Sequence, residues 1–114
     1  ERYYQIIAKG GNKYWQGSAC NYTATQLYFP MNWKTQMRAT PSLVFTTGTN
    51  YYTIYDSGNT SGVNFTRPTD VRYHNEIGGS IYVGATYLSG LTAGNASLFY
   101  NNSSASLIAV EAEL

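Results

Sequence analysis

Hydrolysis is the first chemistry to test, because the single histidine lies between two acids. His74 stands four residues after Asp70 and two before Glu76, so an acid could support it as a general base. No sharp nucleophile turn of the serine-hydrolase kind accompanies it. A glycosidase needs two placed carboxylates, and Asp56, Asp70 and Glu76 are the acids in predicted loops. With six acids in the whole chain, the sequence favours a protein that is not an enzyme.

Metal and cofactor chemistry has few candidate ligands. Cys20 and His74 are the only thiol and imidazole, and a zinc site needs several such ligands. A site on a three-fold axis, with one ligand from each copy, stays open. The pairs Gly10-Gly11 and Gly78-Gly79 lack the lysine and the spacing of a phosphate-binding loop. We expect no cofactor and no metal ion, and a single cysteine excludes an intrachain disulfide.

Aromatic residues beside turns give the positive functional signal. The chain has 12 tyrosines, and several stand next to Asn, Asp or Arg. Sugar rings stack on Tyr and Trp faces while Asn, Asp and Arg bind hydroxyls. The alternative is that these tyrosines fill sheet faces and subunit interfaces. The predicted ligand loops are Asn50–Asn59 and Pro68–Glu76, with Gly11–Trp15 as an additional candidate loop. We predict these ligand-binding residues: Tyr51, Tyr52, Asp56, Arg72, Tyr73 and His74.

Composition excludes several other classes of partner. Charged residues make up 11% of the 114 residues and the net charge is +1, against about 25% charged residues in typical domains. We therefore expect no nucleic-acid partner. Because no apolar run is long enough to span a bilayer, we also expect no membrane insertion.

The segments that carry these side chains are predicted to be β-strands. No segment follows a 3.6-residue period, and turn signals recur every ~8–12 residues. The segment Gln36–Thr47, which we call the organising segment, is expected to be central to the fold. Pro41 fixes the backbone turn that leads into a predicted buried strand. The pattern predicts an all-β fold, an antiparallel β-sandwich or jelly-roll-like domain. Its predicted scaffold strands are Arg2–Ala8, Ser18–Phe29, Leu43–Thr47, Ile81–Leu88 and Leu107–Leu114.

Local signals add detail to this scaffold. Gly-Gly-Asn at 10–12 predicts a hairpin, Pro30 is expected to close the strand before it, and Pro68–Glu76 is expected to be irregular. In Ser18–Phe29, alternation places Tyr22 and Tyr28 on one face. Neither face of that segment is cleanly apolar, so we expect both to be partly covered, for example by a neighbouring subunit.

Three short sequences in fixed order resemble a known family. They are RYYQ at Arg2–Gln5, the block from Phe29 that includes MRATPSLVFTT and ends at Thr47, and AVEAEL at Ala109–Leu114. Together they are similar to the C-terminal domain of bacteriophage and prophage tail fibre proteins, in which an MRA-x-P segment enters a strand and the chain stops at a DAEL-like end. Glu111 departs from that pattern, where Asp is common. The stretch Gly48–Asn102 matches only as variable and polar, so no binding residue carries over from the family.

The resemblance implies a homotrimeric receptor-binding domain at the tip of a longer fibre, spanning residues 1–114. It implies a virion protein that acts at the host cell surface and binds capsular polysaccharide or lipopolysaccharide. The absence of an initiator Met also fits a fragment of a longer protein. Three alternatives remain: a trimerisation or capping domain that only registers the fibre chains, a small polysaccharide depolymerase, and a eukaryotic secreted lectin.

Overall fold

The computed structural model describes residues 2–10, 14–56 and 62–113. Those residues form strands and turns and no helix, which confirms the predicted all-β class. The strands are β1 (Arg2–Lys9), β2 (Tyr14–Thr23), β3 (Gln26–Asn32), β4 (Ser42–Phe45), β5 (Tyr52–Asp56), β6 (Val63–Phe65), β7 (Asp70–Arg72), β8 (Gly78–Val83), β9 (Ala96–Asn101) and β10 (Leu107–Glu113).

The strands form two antiparallel sheets. The smaller sheet has the order β1-β10-β4, and the larger has the order β6-β5-β9-β2-β3-β8-β7. Together they make a curled half-barrel that is compatible with a β-sandwich. The first and last strands of the chain pair along their lengths, from Arg2 opposite Glu113 to Lys9 opposite Leu107. Both ends of the chain are therefore held in one sheet.

The core lies between the two sheets and follows the strand alternation. Leu27 and Phe29 of β3 and Phe99 of β9 are buried against Ile108 and its neighbours on β10. The void left among these side chains is only about 10 Å³, so the packing is close to that of protein interiors generally. The predicted alternation of β10 is confirmed, because its apolar positions at 108, 110 and 112 are all buried in the core.

One tyrosine joins the two sheets. Tyr52 of β5 is fully buried, and its ring stacks on Phe65 with a centroid distance of 5.4 Å. Its hydroxyl contacts the carbonyl oxygens of Thr46, just after β4, and of Leu107, at the start of β10, at 2.7 and 2.8 Å. Because this ring is inside the core, the prediction that Tyr52 presents a stacking surface to a ligand is wrong.

Several predicted boundaries are wrong for local reasons. The segment Ser18–Phe29 is a hairpin of β2 and β3, and not one strand, because the chain turns at Ala24 and Thr25. The Thr23 hydroxyl accepts the Thr25 N–H at 3.2 Å and stabilises this turn without Gly or Pro. Pro30 lies inside β3 and does not end it, because the pairing of β2 with β3 stops at Tyr28. No donor is then needed from Pro30 on that side.

Other predictions fail at the level of sheet assignment. β1 and β2 lie in different sheets, so no hairpin joins them; Gly11 and Asn12 of that predicted turn lie outside the described residues. β4 is an outer strand with an exposed Ser42 and three half-buried residues, and not a buried strand. β8 ends at Val83, because the chain turns there and Gly84 accepts the N–H groups of Tyr87 and Leu88. The stretch Pro68–Glu76 includes the short strand β7.

Candidate functional site

The candidate site lies on the face of the larger sheet that is turned away from the core. Leu27 and Phe29 of β3 enter the core, so the alternation of a strand turns Tyr28 outward. Tyr28 is directly opposite Cys20 of β2 and Tyr82 of β8, and cross-strand partners share a face. This face therefore collects aromatic side chains from three neighbouring strands.

Four rings make up this surface, which we call the tyrosine patch: Tyr22, Tyr28, Tyr73 and Tyr82. Tyr28 is at its centre, with ring centroids 5.7 Å from Tyr22, 5.7 Å from Tyr73 and 5.0 Å from Tyr82. Tyr82 is buried and forms the base, whereas Tyr22 and Tyr73 are 66% and 79% exposed. Exposed rings next to a ring that is held in the sheet give a ligand an apolar platform.

Polar groups surround the patch. Arg72 lies over the Tyr82 ring with its guanidinium carbon 3.7 Å from the centroid, and its Nε–H donates to Asp70 at 3.0 Å. The Gln26 amide donates to the Tyr82 hydroxyl at 2.8 Å. These contacts fix the base ring and place a cation, a carboxylate and an amide within one surface.

The local environment shifts two ionisable groups of the patch. The neighbouring Tyr73 phenol, and after it partial burial, raises the pKa of Tyr28 above its ordinary value. Burial acts to lower the pKa of Arg72, but the Asp70 carboxylate outweighs it and raises that pKa. At neutral pH the patch therefore holds the neutral Tyr28 phenol beside the charged Arg72 guanidinium.

Tyr73 has an unusual backbone conformation. Its φ is +52°, in a region that residues with a bulky side chain seldom adopt. The loop that follows is held by Asn75, whose side-chain oxygen accepts the N–H groups of Ile77 and Gly78 at 2.9 and 3.1 Å. The fold thus holds the Tyr73 ring against Tyr28 in an otherwise disfavoured conformation, as ligand-binding loops often do.

The structure divides the predicted ligand-binding residues into separate groups. Arg72 and Tyr73 belong to the tyrosine patch, and His74 lines a cleft beside it. Tyr51 and Asp56 lie at opposite ends of β5, and four strands separate β5 from β7. At about 4.8 Å per strand that is roughly 24 Å along the sheet. The structure does not bring these two groups into one site, and the side chain of Asp56 lies outside the description.

Sequence reasoning missed Tyr22, Tyr28 and Tyr82, together with Gln26, and it considered Asp70 only as an acid for hydrolysis. These residues come from strands, or from the start of one, whereas the prediction looked for tyrosines in loops. One signal was present, since Tyr22 and Tyr28 were expected on one face of a segment with no cleanly apolar side. That signal gave no indication of Tyr82, because the pairing of β3 with β8 joins residues more than fifty positions apart.

Comparisons with protein-family models, characterised proteins and solved structures gave no match to this chain. Within residues 2–10, 14–56 and 62–113, no three His, Cys, Asp or Glu side chains come together as a metal site would need. The same part of the chain contains no helix of sufficient length and hydropathy to cross a membrane.

Proposed function

We propose that this domain is the tip of a phage tail fibre, and that it binds capsular polysaccharide or lipopolysaccharide on the bacterial surface. The observation that carries the binding role is the tyrosine patch. Two exposed rings, Tyr22 and Tyr73, flank Tyr28 on a rigid sheet. Sugar rings bind to such platforms through their C–H faces, and the nearby Arg72 and Asp70 suit their hydroxyls.

The fibre assignment rests on the resemblance of the segments around Arg2–Gln5, Phe29–Thr47 and Ala109–Leu114. The same resemblance implies a homotrimer and a location on the virion. The face of the smaller sheet that is turned away from the core supports self-association. Tyr4 and Ile6 on that face are 50% and 43% exposed and, at alternate positions of β1, form a short exposed apolar row. In a trimer, three weak saccharide sites reinforce one another through effective concentration.

The exposed apolar row also favours a second candidate function, in which the domain only registers the fibre chains. That role predicts a trimer that binds no cell. Both functions are compatible with an absence of catalysis, whereas a depolymerase would release sugar from the polysaccharide that it binds.

Adsorption of labelled protein tests the proposal. The purified domain carries a fluorophore and is mixed with a panel of encapsulated strains and with capsule-less and lipopolysaccharide-truncated mutants of each. Its mass is measured by light scattering in the same preparation. We expect a trimer that labels a strain only while one of the two polysaccharides is intact.

Substitution of the exposed rings assigns that binding to the patch. If each ring contributes about 0.5–1.5 kcal/mol, the double variant Tyr22→Ala/Tyr73→Ala should bind roughly 5- to 150-fold more weakly per site. Leu98→Ala removes a 47% exposed apolar side chain of β9 that lies outside the patch and should leave adsorption unchanged. Equal adsorption by the double variant and the wild type would refute the site, and a trimer that labels no strain would favour the registering role.

A further inference from the structure

A cleft lies next to the tyrosine patch, between the segment that leads into β4 and the loop that follows β7. Residues 37–40 form one wall and residues 74–76 form the other. Its volume is about 190 Å³, which corresponds to roughly six water molecules at ~30 Å³ each. The wall at 37–40 is the M-R-A-T part of the organising segment, which the tyrosine patch does not use.

Backbone hydrogen bonds hold the two walls together. The Met37 N–H donates to the Glu76 carbonyl at 2.9 Å, and the Trp33 N–H donates to the Ile77 carbonyl at 2.8 Å. The Trp33 indole donates to the Asn75 carbonyl at 3.1 Å. Trp33 and Met37 are themselves buried in the core. The cleft is therefore preformed, and a ligand would enter it at little cost in ordering the chain.

The cleft contains a cation, Arg38, that forms no ion pair within the described part of the chain. Arg38 is exposed, and its guanidinium has no ion-pair or hydrogen-bond partner among the described residues. The Glu76 carboxylate on the opposite wall accepts a hydrogen bond from the Gln36 amide. His74 is exposed beside it. The cleft thus presents the Arg38 guanidinium on one wall, and the His74 imidazole and the Glu76 carboxylate, which a neutral donor already holds, on the other.

This set of groups matches a sugar that carries an acid. A guanidinium offers a planar fork of N–H donors that fits a carboxylate or phosphate, and an imidazole adds a ring N–H. A carboxylate such as that of Glu76 accepts hydrogen bonds from hydroxyls. An anion alone would meet repulsion from Glu76, whereas a saccharide with an anionic substituent and adjacent hydroxyls satisfies all three side chains.

We propose that this cleft binds the anionic substituent, carboxylate or phosphate, of a surface saccharide, with Arg38 pairing the anion and Glu76 accepting hydroxyls. This inference rests on the proposed function and adds the substrate class to it. Tyr73 of the patch and His74 of the cleft are consecutive residues, about 3.8 Å apart at their Cα atoms. The two sites therefore meet at residues 73 and 74, and we expect neighbouring sugars of one polysaccharide to occupy them.

An NMR titration of the ¹⁵N-labelled domain tests the cleft. The probes are D-glucuronate, glucose 6-phosphate and the neutral methyl glucoside, each at the same concentrations. We expect glucuronate, glucose 6-phosphate or both to shift the backbone amides of Arg38 and His74, and the two arms distinguish carboxylate from phosphate. Methyl glucoside should leave these amides unchanged. Equal shifts with the neutral sugar, or no shift at either amide with both acids, would overturn the proposal.

Two charge variants sharpen the result. Arg38→Gln should weaken binding of the acidic sugar about tenfold or more, because it removes a charge-assisted hydrogen bond. Lys34→Gln removes an exposed cation outside the cleft walls and should bind as the wild type does, which controls for net charge. The same spectra show whether each variant is folded. Unaltered binding by Arg38→Gln would also overturn the proposal.

The NMR titration can fail while the adsorption experiment succeeds, and the reverse, so the two proposals are tested separately. If the domain adsorbs through Tyr22 and Tyr73 while the amides of Arg38 and His74 show no shift, the cleft assignment fails and the proposed function stands. If the acidic sugars bind in the cleft but no strain is labelled, the proposed host-recognition function fails and the cleft site stands.

Discussion

Removal of a single oxygen from the core should measure how strongly the two sheets are joined. Tyr52→Phe keeps the ring that packs on Phe65 and deletes only the hydroxyl. That hydroxyl lies 2.7 Å from the Thr46 carbonyl and 2.8 Å from the Leu107 carbonyl. It is the point at which β5 of the larger sheet contacts the chain beside β4 and β10 of the smaller one.

The magnitude follows from which groups lose their partners. The Leu107 carbonyl still accepts the Thr46 N–H at 3.0 Å, and the Leu107 N–H still donates to the Thr46 side-chain oxygen at 2.8 Å. The Thr46 carbonyl has no replacement donor among the described groups. The Tyr52 hydroxyl has one proton and can donate one strong hydrogen bond at a time. Tyr52→Phe therefore loses one strong hydrogen bond and leaves the Thr46 carbonyl without a donor among the described groups. We expect the free energy of unfolding to fall by about 2 kcal/mol.

Urea unfolding followed by tyrosine and tryptophan fluorescence checks this value. The midpoint should fall with little change in slope, and the melting temperature should drop by roughly 8 °C. Tyr51→Phe is the matched control, since no hydrogen bond of the Tyr51 hydroxyl is formed within the described part of the chain. Two protein concentrations separate unfolding from dissociation of an assembly. A loss below about 0.5 kcal/mol in Tyr52→Phe, or an equal loss in both variants, would refute the reasoning.

Two further predictions concern stability. Burial raises the pKa of Tyr52 above 10.0, so the folded state holds a proton that the unfolded chain releases from about pH 10. The stability that Tyr52 contributes should be fully present below that pH and be lost above it, and urea midpoints at increasing pH should fall less in Tyr52→Phe than in the wild type. Gly78→Ala would place a methyl group 2.6 Å from the Met31 carbonyl oxygen, so β3 and β8 must move apart and about 1–3 kcal/mol of stability should be lost. Ser80→Ala, on the same strand, is the control for the second prediction, and a thermal melt in which both variants match the wild type would contradict it.

The sequence was sufficient for the fold class because strand alternation is a local property. Ile108, Val110 and Ala112 lie at every second position of β10, and all three enter the core. The turn after Thr23 was not predictable from its composition, since a threonine hydroxyl stabilises it instead of Gly, Asn or Pro. The division of the strands between two sheets was also beyond local reasoning, because β1 pairs with β10 across almost the whole chain.

The candidate site was predictable only where it lies on a loop. Arg72 and Tyr73 stand beside turn signals and were selected for that reason. Tyr28 and Tyr82 meet through the register of β3 with β8, which a single sequence does not specify. Tyr51 and Tyr52 are adjacent and chemically identical, yet one is half-buried and the other fully buried. Which of two neighbouring tyrosines enters the core depends on the pairing of β5 with β9.

The outermost strands of the larger sheet have a consequence for solubility. β6 and β7 have three residues each, so each offers few free N–H and C=O groups to a strand of another molecule. β1, the long outer strand of the smaller sheet, carries a bulge between Ile6 and Ala8, which interrupts a continuous ladder. Short or bulged margins of this kind discourage edge-to-edge aggregation. We expect that a redesign that lengthens β7, or straightens β1, would favour fibrillar association even if the monomer became more stable.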